Sequence, residues 1–138
     1  LTLAETGHLV FGTLHTRSAP ATVDRIVDAF PADQQEQIRV QLAGSVQAIV
    51  AQQLVPKRGG GRIAALEIMV GTSAVRNLIR EGKTHQLGGV IETGLQFGMQ
   101  SMDKTLAEMV RTQRIELEHA LRRAADPETV QRLLRNAA

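Results

Sequence analysis

His8, Thr13, His15 and Thr16 fall within one short stretch, Gly7-His8-Leu9-Val10-Phe11-Gly12-Thr13-Leu14-His15-Thr16. Imidazole and hydroxyl groups donate hydrogen bonds to phosphate oxygens, and an imidazole changes charge near neutrality. Ala4-Glu5-Thr6 reads as a helix end and Gly7 as a turn, and the apolar run after it reads as a β-strand. That strand would deliver Thr13, His15 and Thr16 to its carboxyl end, with His8 at its start. In open α/β sheets ligands bind outside the carboxyl ends of strands, so the four residues are candidates for sensing a nucleotide phosphate. A core strand whose ends happen to carry histidine has the same pattern, and spacing does not separate the two readings. A shared metal ion is not expected. Alternation puts residues 8 and 15 on opposite faces of a continuous strand, and no carboxylate recurs with ligand spacing.

Three other features invite chemistry. Glu67 sits inside an apolar run, Ile63-Ala64-Ala65-Leu66 before it and Ile68-Met69 after it, and reads as a buried, paired carboxylate rather than a catalytic base. Gly59-Gly60-Gly61 lacks the Lys-Ser/Thr pair and helix start of a phosphate cradle, and reads as a solvated turn. His85 and His119 lie in helical segments without converging partners, and Met99, Met102 and Met109 read as core fillers.

GHLVFGTLHT following AET resembles the His box of the secretion-superfamily ATPases, the hexameric motors of type II secretion and type IV pili. Gly71-Thr72-Ser73-Ala74-Val75-Arg76-Asn77-Leu78-Ile79-Arg80-Glu81 is similar to the AIRNLIRE signature of the pilus retraction (twitching-motility) branch, with Val75 in place of Ile. The similarity continues through Asp24-Arg25-Ile26-Val27-Asp28-Ala29-Phe30-Pro31 and Met99-Gln100-Ser101-Met102-Asp103. The resemblance implies the C-terminal part of a RecA-like P-loop ATPase core with few strands (residues 1–70), followed by an all-helical C-terminal region (71–138). The Walker A loop, acidic box and Walker B strand precede the His box in this family, and no GxxxxGK[ST] occurs here. The resemblance therefore implies that ATP and Mg2+ serve the full-length protein and that this portion is inactive alone.

It further implies a homo-hexamer at the cytoplasmic face of the inner membrane, contacting the pilus platform protein and retracting pili. It assigns His8, Thr13, His15 and Thr16 to the nucleotide side, with His15 the expected phosphate contact and His8 supporting the geometry. It assigns Ala74, Val75, Arg76, Asn77, Leu78, Ile79, Arg80 and Glu81 to the retraction signature. At about 100° per residue, Ala74, Val75, Leu78 and Ile79 share one arc of roughly 140°. Arg76, Asn77, Arg80 and Glu81 fill the other side, the face expected to pass nucleotide state to a partner. The rival within the superfamily is a pilus-assembly or type II secretion ATPase, many of which carry a four-cysteine zinc module. The chain has no cysteine.

Composition bounds the remaining classes. The 138 residues carry 16 basic and 14 acidic side chains, interspersed, for a net charge of +2. With three Phe and no Tyr or Trp there is little for bases to stack on. Arg111, Arg114, Arg122, Arg123, Arg132 and Arg135 are offset by Glu108, Glu116, Glu118 and Glu128, so a helical DNA-binding module is not favoured over the motor. No apolar run approaches the ~20 residues of a membrane span.

The elements that must position these groups follow from periodicity and punctuation. Helices are predicted over 21–30, between Pro20 and Pro31, and over 33–48, with Ile38, Leu42 and Val46 on one face. A hairpin joins a strand ending near Val55 to a second strand over 62–70 through Pro56-Lys57-Arg58-Gly59-Gly60-Gly61. Thr72 or Ser73 caps a helix over 74–81 ended by Gly82. A helix over 84–97, interrupted in composition by Gly88, Gly89 and Gly94, leads to one capped by Ser101. Further helices are predicted over 116–124 and from Asp126-Pro127 to Leu134.

Overall fold

The computed structural model describes residues 1–136. Helix α1 (Thr2–Glu5) is followed by α2 (Ala19–Val27) and α3 (Gln35–Ser45), then strands β1 (Ala48–Pro56) and β2 (Arg62–Val70). Helix α4 (Ser73–Arg80) follows at once, then α5 (Leu87–Thr93), α6 (Met102–Arg111), α7 (Leu117–Arg123) and α8 (Pro127–Arg135). The expected helical region ends at Ala137 and Ala138, which lie outside the described residues.

The hairpin organises the molecule. β1 and β2 pair antiparallel from Ala48↔Val70 to Pro56↔Arg62, closed by Gly59, Gly60 and Gly61 at positive φ. One face of this ribbon carries Ile49, Ala51 and Val55 on β1 and Ile63, Ala65, Glu67 and Met69 on β2, the period-2 set expected to turn inward. Met69 joins one apolar core with Val23 and Val27 of α2, Leu42 of α3, Val75 and Ile79 of α4, and Leu87 and Ile91 of α5. Val55 and Ala65 join a second with Leu106, Ile115, Ala120 and Val130. Both cores therefore hang from one face of the ribbon, and Glu67 lies in register between Ala65 and Met69, at their junction. Packing does not change partners at residue 70: α4 and α5 close the first core with α2 and α3, and α6 to α8 close the second.

Capping sets most boundaries. Ser18 accepts from the Ala21 N–H and starts α2; Thr72, rather than Ser73, accepts from the Val75 N–H and starts α4. Ser101 accepts from the Lys104 N–H at the start of α6. Asp103 is buried, and its two carboxylate oxygens accept from Ala125 N–H (2.7 Å) and Asp126 N–H (2.9 Å), which fixes the turn into α8.

Two expectations are corrected. Residues 84–97 do not form one helix: α5 is flanked by single 3-10 turns at Thr84–Gln86 and Leu95–Phe97, because Gly94 ends it where a Cβ would lie 2.6 Å from Met99 Sδ. The strand expected through residues 8–16 does not form. A strand exists only through a hydrogen-bonded neighbour, and the described chain offers this segment none. Phe11 is 88% and Leu9 80% exposed as a result.

Asp126 yields a pH prediction. The Thr129 hydroxyl (2.6 Å), then the Glu128 N–H (3.0 Å), bond its carboxylate and hold its pKa below the ordinary 3.8. A carboxylate depressed in the folded state contributes stability above its unfolded pKa and loses it as pH falls through the folded value. The first turn of α8 is expected to fray only below about pH 3.8. Amide exchange at Glu128 and Thr129 checks this; onset of fraying near pH 6 would contradict it.

Candidate functional site

A groove of about 910 Å3 runs between the segment after α1 and the free edge of β1. His8, Thr13 and Thr16 line one side, Thr22 of α2 and Ile49 and Gln52 of β1 another. His15 is exposed and does not line it. Of the four residues singled out in sequence, three are thus brought to one concavity; His8 is among them and His15, the expected phosphate contact, is not. The Thr6 hydroxyl donates its proton to the Leu3 carbonyl at 2.9 Å, so the 3.0 Å contact between His8 Nδ1 and Thr6 Oγ1 has Nδ1–H as donor, which orients the ring.

Proton counting distinguishes the threonines. Thr22 donates its one hydroxyl proton to the Ser18 carbonyl at 2.8 Å. The 2.6 Å contact between Thr16 Oγ1 and Thr22 Oγ1 must then use the Thr16 proton. Thr16 therefore ties the groove segment to the first turn of α2, and Thr13 is the hydroxyl left to donate into the groove. The groove holds donors for an anion but no lysine or arginine among its lining residues, so it can contact a phosphate without itself supplying the cationic cradle.

The second candidate element, α4, divides as its helical projection requires except at Ala74, which the projection put on the apolar arc, and at Arg76. Val75 and Ile79 are buried, Leu78 is half-buried, and Ala74, Asn77, Arg80 and Glu81 are exposed. Arg76 departs from the expected solvent face. Its guanidinium donates to the carbonyls of Gly71 (2.7 Å), Ala43 (2.7 Å) and Gly44 (2.6 Å). Ala43 and Gly44 belong to the last turn of α3, whose carbonyls have no intrahelical donors. Arg76 is thus the cap of α3 and the tether between α3, α4 and the end of β2. Among the described residues Arg80 makes only a 3.4 Å contact to Asn77 Oδ1, and Asn77 donates to Glu81 Oε1 at 2.9 Å. Glu81 also pairs with Lys83 at 2.8 Å; the Lys83 hydrogen bond, then that from Asn77, holds its carboxyl below the usual value.

Glu67 is 7% exposed and paired, though not with a cation. Its Oε1 accepts from the Ala19 N–H (2.7 Å) and its Oε2 from the Met102 N–H (3.4 Å), the first amides of α2 and α6. No short-range signal marks these partners, nor the α3 carbonyls bonded by Arg76 or the amides bonded by Asp103, since each lies far along the chain.

Comparison with known proteins adds the following. Residues 1–122 match the family described as type II/IV secretion system protein. The chain is 52% identical over 128 residues to the type IV pilus retraction ATPase PilT of Pseudomonas aeruginosa, covering 93% of this chain and 37% of that protein. It is 51% identical over 131 residues to a twitching motility protein of Neisseria gonorrhoeae, covering 94% of this chain and 35% of that one. Among solved structures it matches the pilus retraction motor PilT with bound ADP at a TM-score of 0.80 and 44% identity, covering 91% of this chain and 35% of that one. The chain thus spans little more than a third of these relatives. Its fold is α/β, part of a RecA-like secretion-ATPase core continued by helices.

Proposed function

We propose that this chain, which belongs to the type II/IV secretion system protein family, is the C-terminal part of a hexameric, ATP-hydrolysing motor that retracts type IV pili. The observation that carries this reading is the identity of about half, over nearly the whole chain, to proteins named for retraction and twitching. None of those names is an assembly or type II secretion motor, so the rival within the superfamily is not favoured. A division in chain order at residue 70, ATPase core before it and helical region after it, belongs to the same reading, with α4 and α5 packed on the core side.

The groove supplies part of a nucleotide site. Thr13, with its proton unspent, and His8, donating from Nε2 as an imidazolium, are the groove residues that would meet phosphate oxygens in this reading; His15 would need to be drawn in by the rest of the motor. When bound, ATP would supply the phosphoanhydride bond that is cleaved and Mg2+ the charge that neutralises its phosphates, and this chain holds no Walker A loop to grip them. The chain alone is therefore expected not to hydrolyse ATP. Its own contribution is mechanical. The Thr16–Thr22 bond and the Glu67 clamp join the groove segment to α2, β2 and α6, so a displacement at the groove moves packed elements rather than a loose loop. Arg80, Asn77 and Glu81 form the exposed polar face that meets a partner, either an adjacent subunit or the pilus platform protein. Among the described residues no helix is long and apolar enough to cross a membrane, and attachment to the inner membrane from the cytoplasmic side belongs to the proposal.

A chimaera tests it. The matching segment of the Pseudomonas relative is replaced by this chain, and ATP turnover and twitching are measured in cells lacking the native motor. Twitching zones close to those of the native motor are expected. An assembled chimaera that hydrolyses ATP at the native rate yet leaves cells non-motile would sink the retraction reading.

A further inference from the structure

We propose that the cleft between the start of α2 and the end of α7 binds a phosphate-bearing small molecule. It is distinct from the groove and does not depend on the motor reading. Its volume is about 530 Å3, within the ~300–1,000 Å3 of typical ligand pockets. Arg17, just before α2, lines it, as do Arg122 and Arg123, in the last turn of α7. Basic residues at a helix C-terminus answer the helix dipole. That accounts for Arg122 and Arg123 being where they are, but not for a third guanidinium arriving from the far end of the chain.

Two of the three arginines are not neutralised from within. Arg122 is held by Glu118 at 2.5 Å. Arg17 and Arg123 have no ion pair among the described residues. The carboxylate in the wall, Glu67, is buried and engaged on both oxygens by the Ala19 and Met102 amides. Its charge is met by the positive ends of two helices, leaving Arg17 and Arg123 without a carboxylate partner here.

Neutral donors complete the lining. The Ser18 hydroxyl accepts from the Ala21 N–H at 3.2 Å and keeps its proton to give. Gln53 spends one amide proton on a long 3.4 Å contact to the Arg123 carbonyl. Arginines supplied by two separate elements suit a group with several oxygens in a tetrahedral array, so phosphate is favoured over a planar carboxylate.

The test is a titration of the 138-residue chain with inorganic pyrophosphate at low ionic strength, read by amide and arginine Nε–H NMR shifts. Shifts are expected at Arg17, Ser18 and Arg123, weakening as salt rises. Arg17→Gln with Arg123→Gln is expected to weaken binding about tenfold or more, leaving the thermal unfolding midpoint unchanged because both side chains are exposed. The single variants should each lose part of that affinity. The proposal is overturned if malonate binds as tightly as pyrophosphate, if the shifts fall on His8 and Thr13 instead, or if the double variant binds like the native chain.

Discussion

Gly71→Ala is expected to lower stability by about 3 kcal/mol or more, because the added methyl has no room and the obstacle is backbone. A Cβ at this position would lie 2.3 Å from the Val46 carbonyl oxygen and 3.2 Å from that of Gln47. The approach is close because the Gly71 N–H donates to the Gln47 carbonyl at 2.7 Å, tying the end of β2 to the start of β1. The Gly71 carbonyl meanwhile accepts from Arg76. The clash cannot be relieved by rotating a side chain; it must separate the strand ends or break the tether to α4. Set against the roughly 5–15 kcal/mol of an ordinary domain, this is a large fraction of the whole. Urea unfolding measures it. Gly88→Ala is the control: it lies in α5, its Cβ would meet nothing within 4 Å, and it should be neutral or raise stability by up to about 1 kcal/mol. Equal midpoints for Gly71→Ala and the native chain would show that the approach at this corner is not close.

What the sequence disclosed depended on how far apart the cooperating residues lie. The hairpin over 48–56 and 62–70 was legible because its turn and both flanking runs are contiguous. The starts of α4, α6 and α8 were legible because Thr72, Ser101 and Asp126 cap amides two or three residues on. The run at 8–16 was misread as a formed strand because an apolar alternation states only that a segment is able to pair, not that a neighbour is present. The helix over 84–97 was read too long: three glycines weakened it, and Met99, packed against Gly94, decided the break from outside the run. Of the residues singled out at 8–16, the sequence grouped Thr13, His15 and Thr16 at one end and set His8 at the other, whereas the groove is lined by His8, Thr13 and Thr16; the commitment of the Thr16 proton depends on the Thr22–Ser18 bond across the first turn of α2. Glu67 was anticipated as buried and paired from its apolar flanks. Its partners, two helix-start amides remote in sequence, were not, since a backbone N–H carries no mark of residue type.

Arg76 and Arg80 stand one turn apart on the signature helix, and their alanine variants are expected to fail in different ways. Arg76→Ala removes the donor from three carbonyls and leaves the last turn of α3 uncapped. With about 1.5–3 kcal/mol for a hydrogen bond to a charged group, and less than additive behaviour for three sharing one guanidinium, the loss should be about 3 kcal/mol. Arg76→Lys should recover only part of it, because a single ammonium cannot reach the Gly71 and α3 carbonyls in the planar geometry of the fork. Arg80→Ala removes an exposed side chain with one long contact, and should change stability by no more than about 0.5 kcal/mol. In the chimaeric motor the order reverses in meaning. Arg80→Ala should assemble, hydrolyse ATP and fail to support twitching, whereas Arg76→Ala should lose assembly and turnover together. Thermal unfolding of the chain, with ATPase and motility assays of the chimaera, separates the two. If Arg80→Ala cells twitch normally, the exposed face of α4 is not the surface that carries force. If Arg76→Ala unfolds at the native midpoint, its three bonds do not anchor α4 to α3.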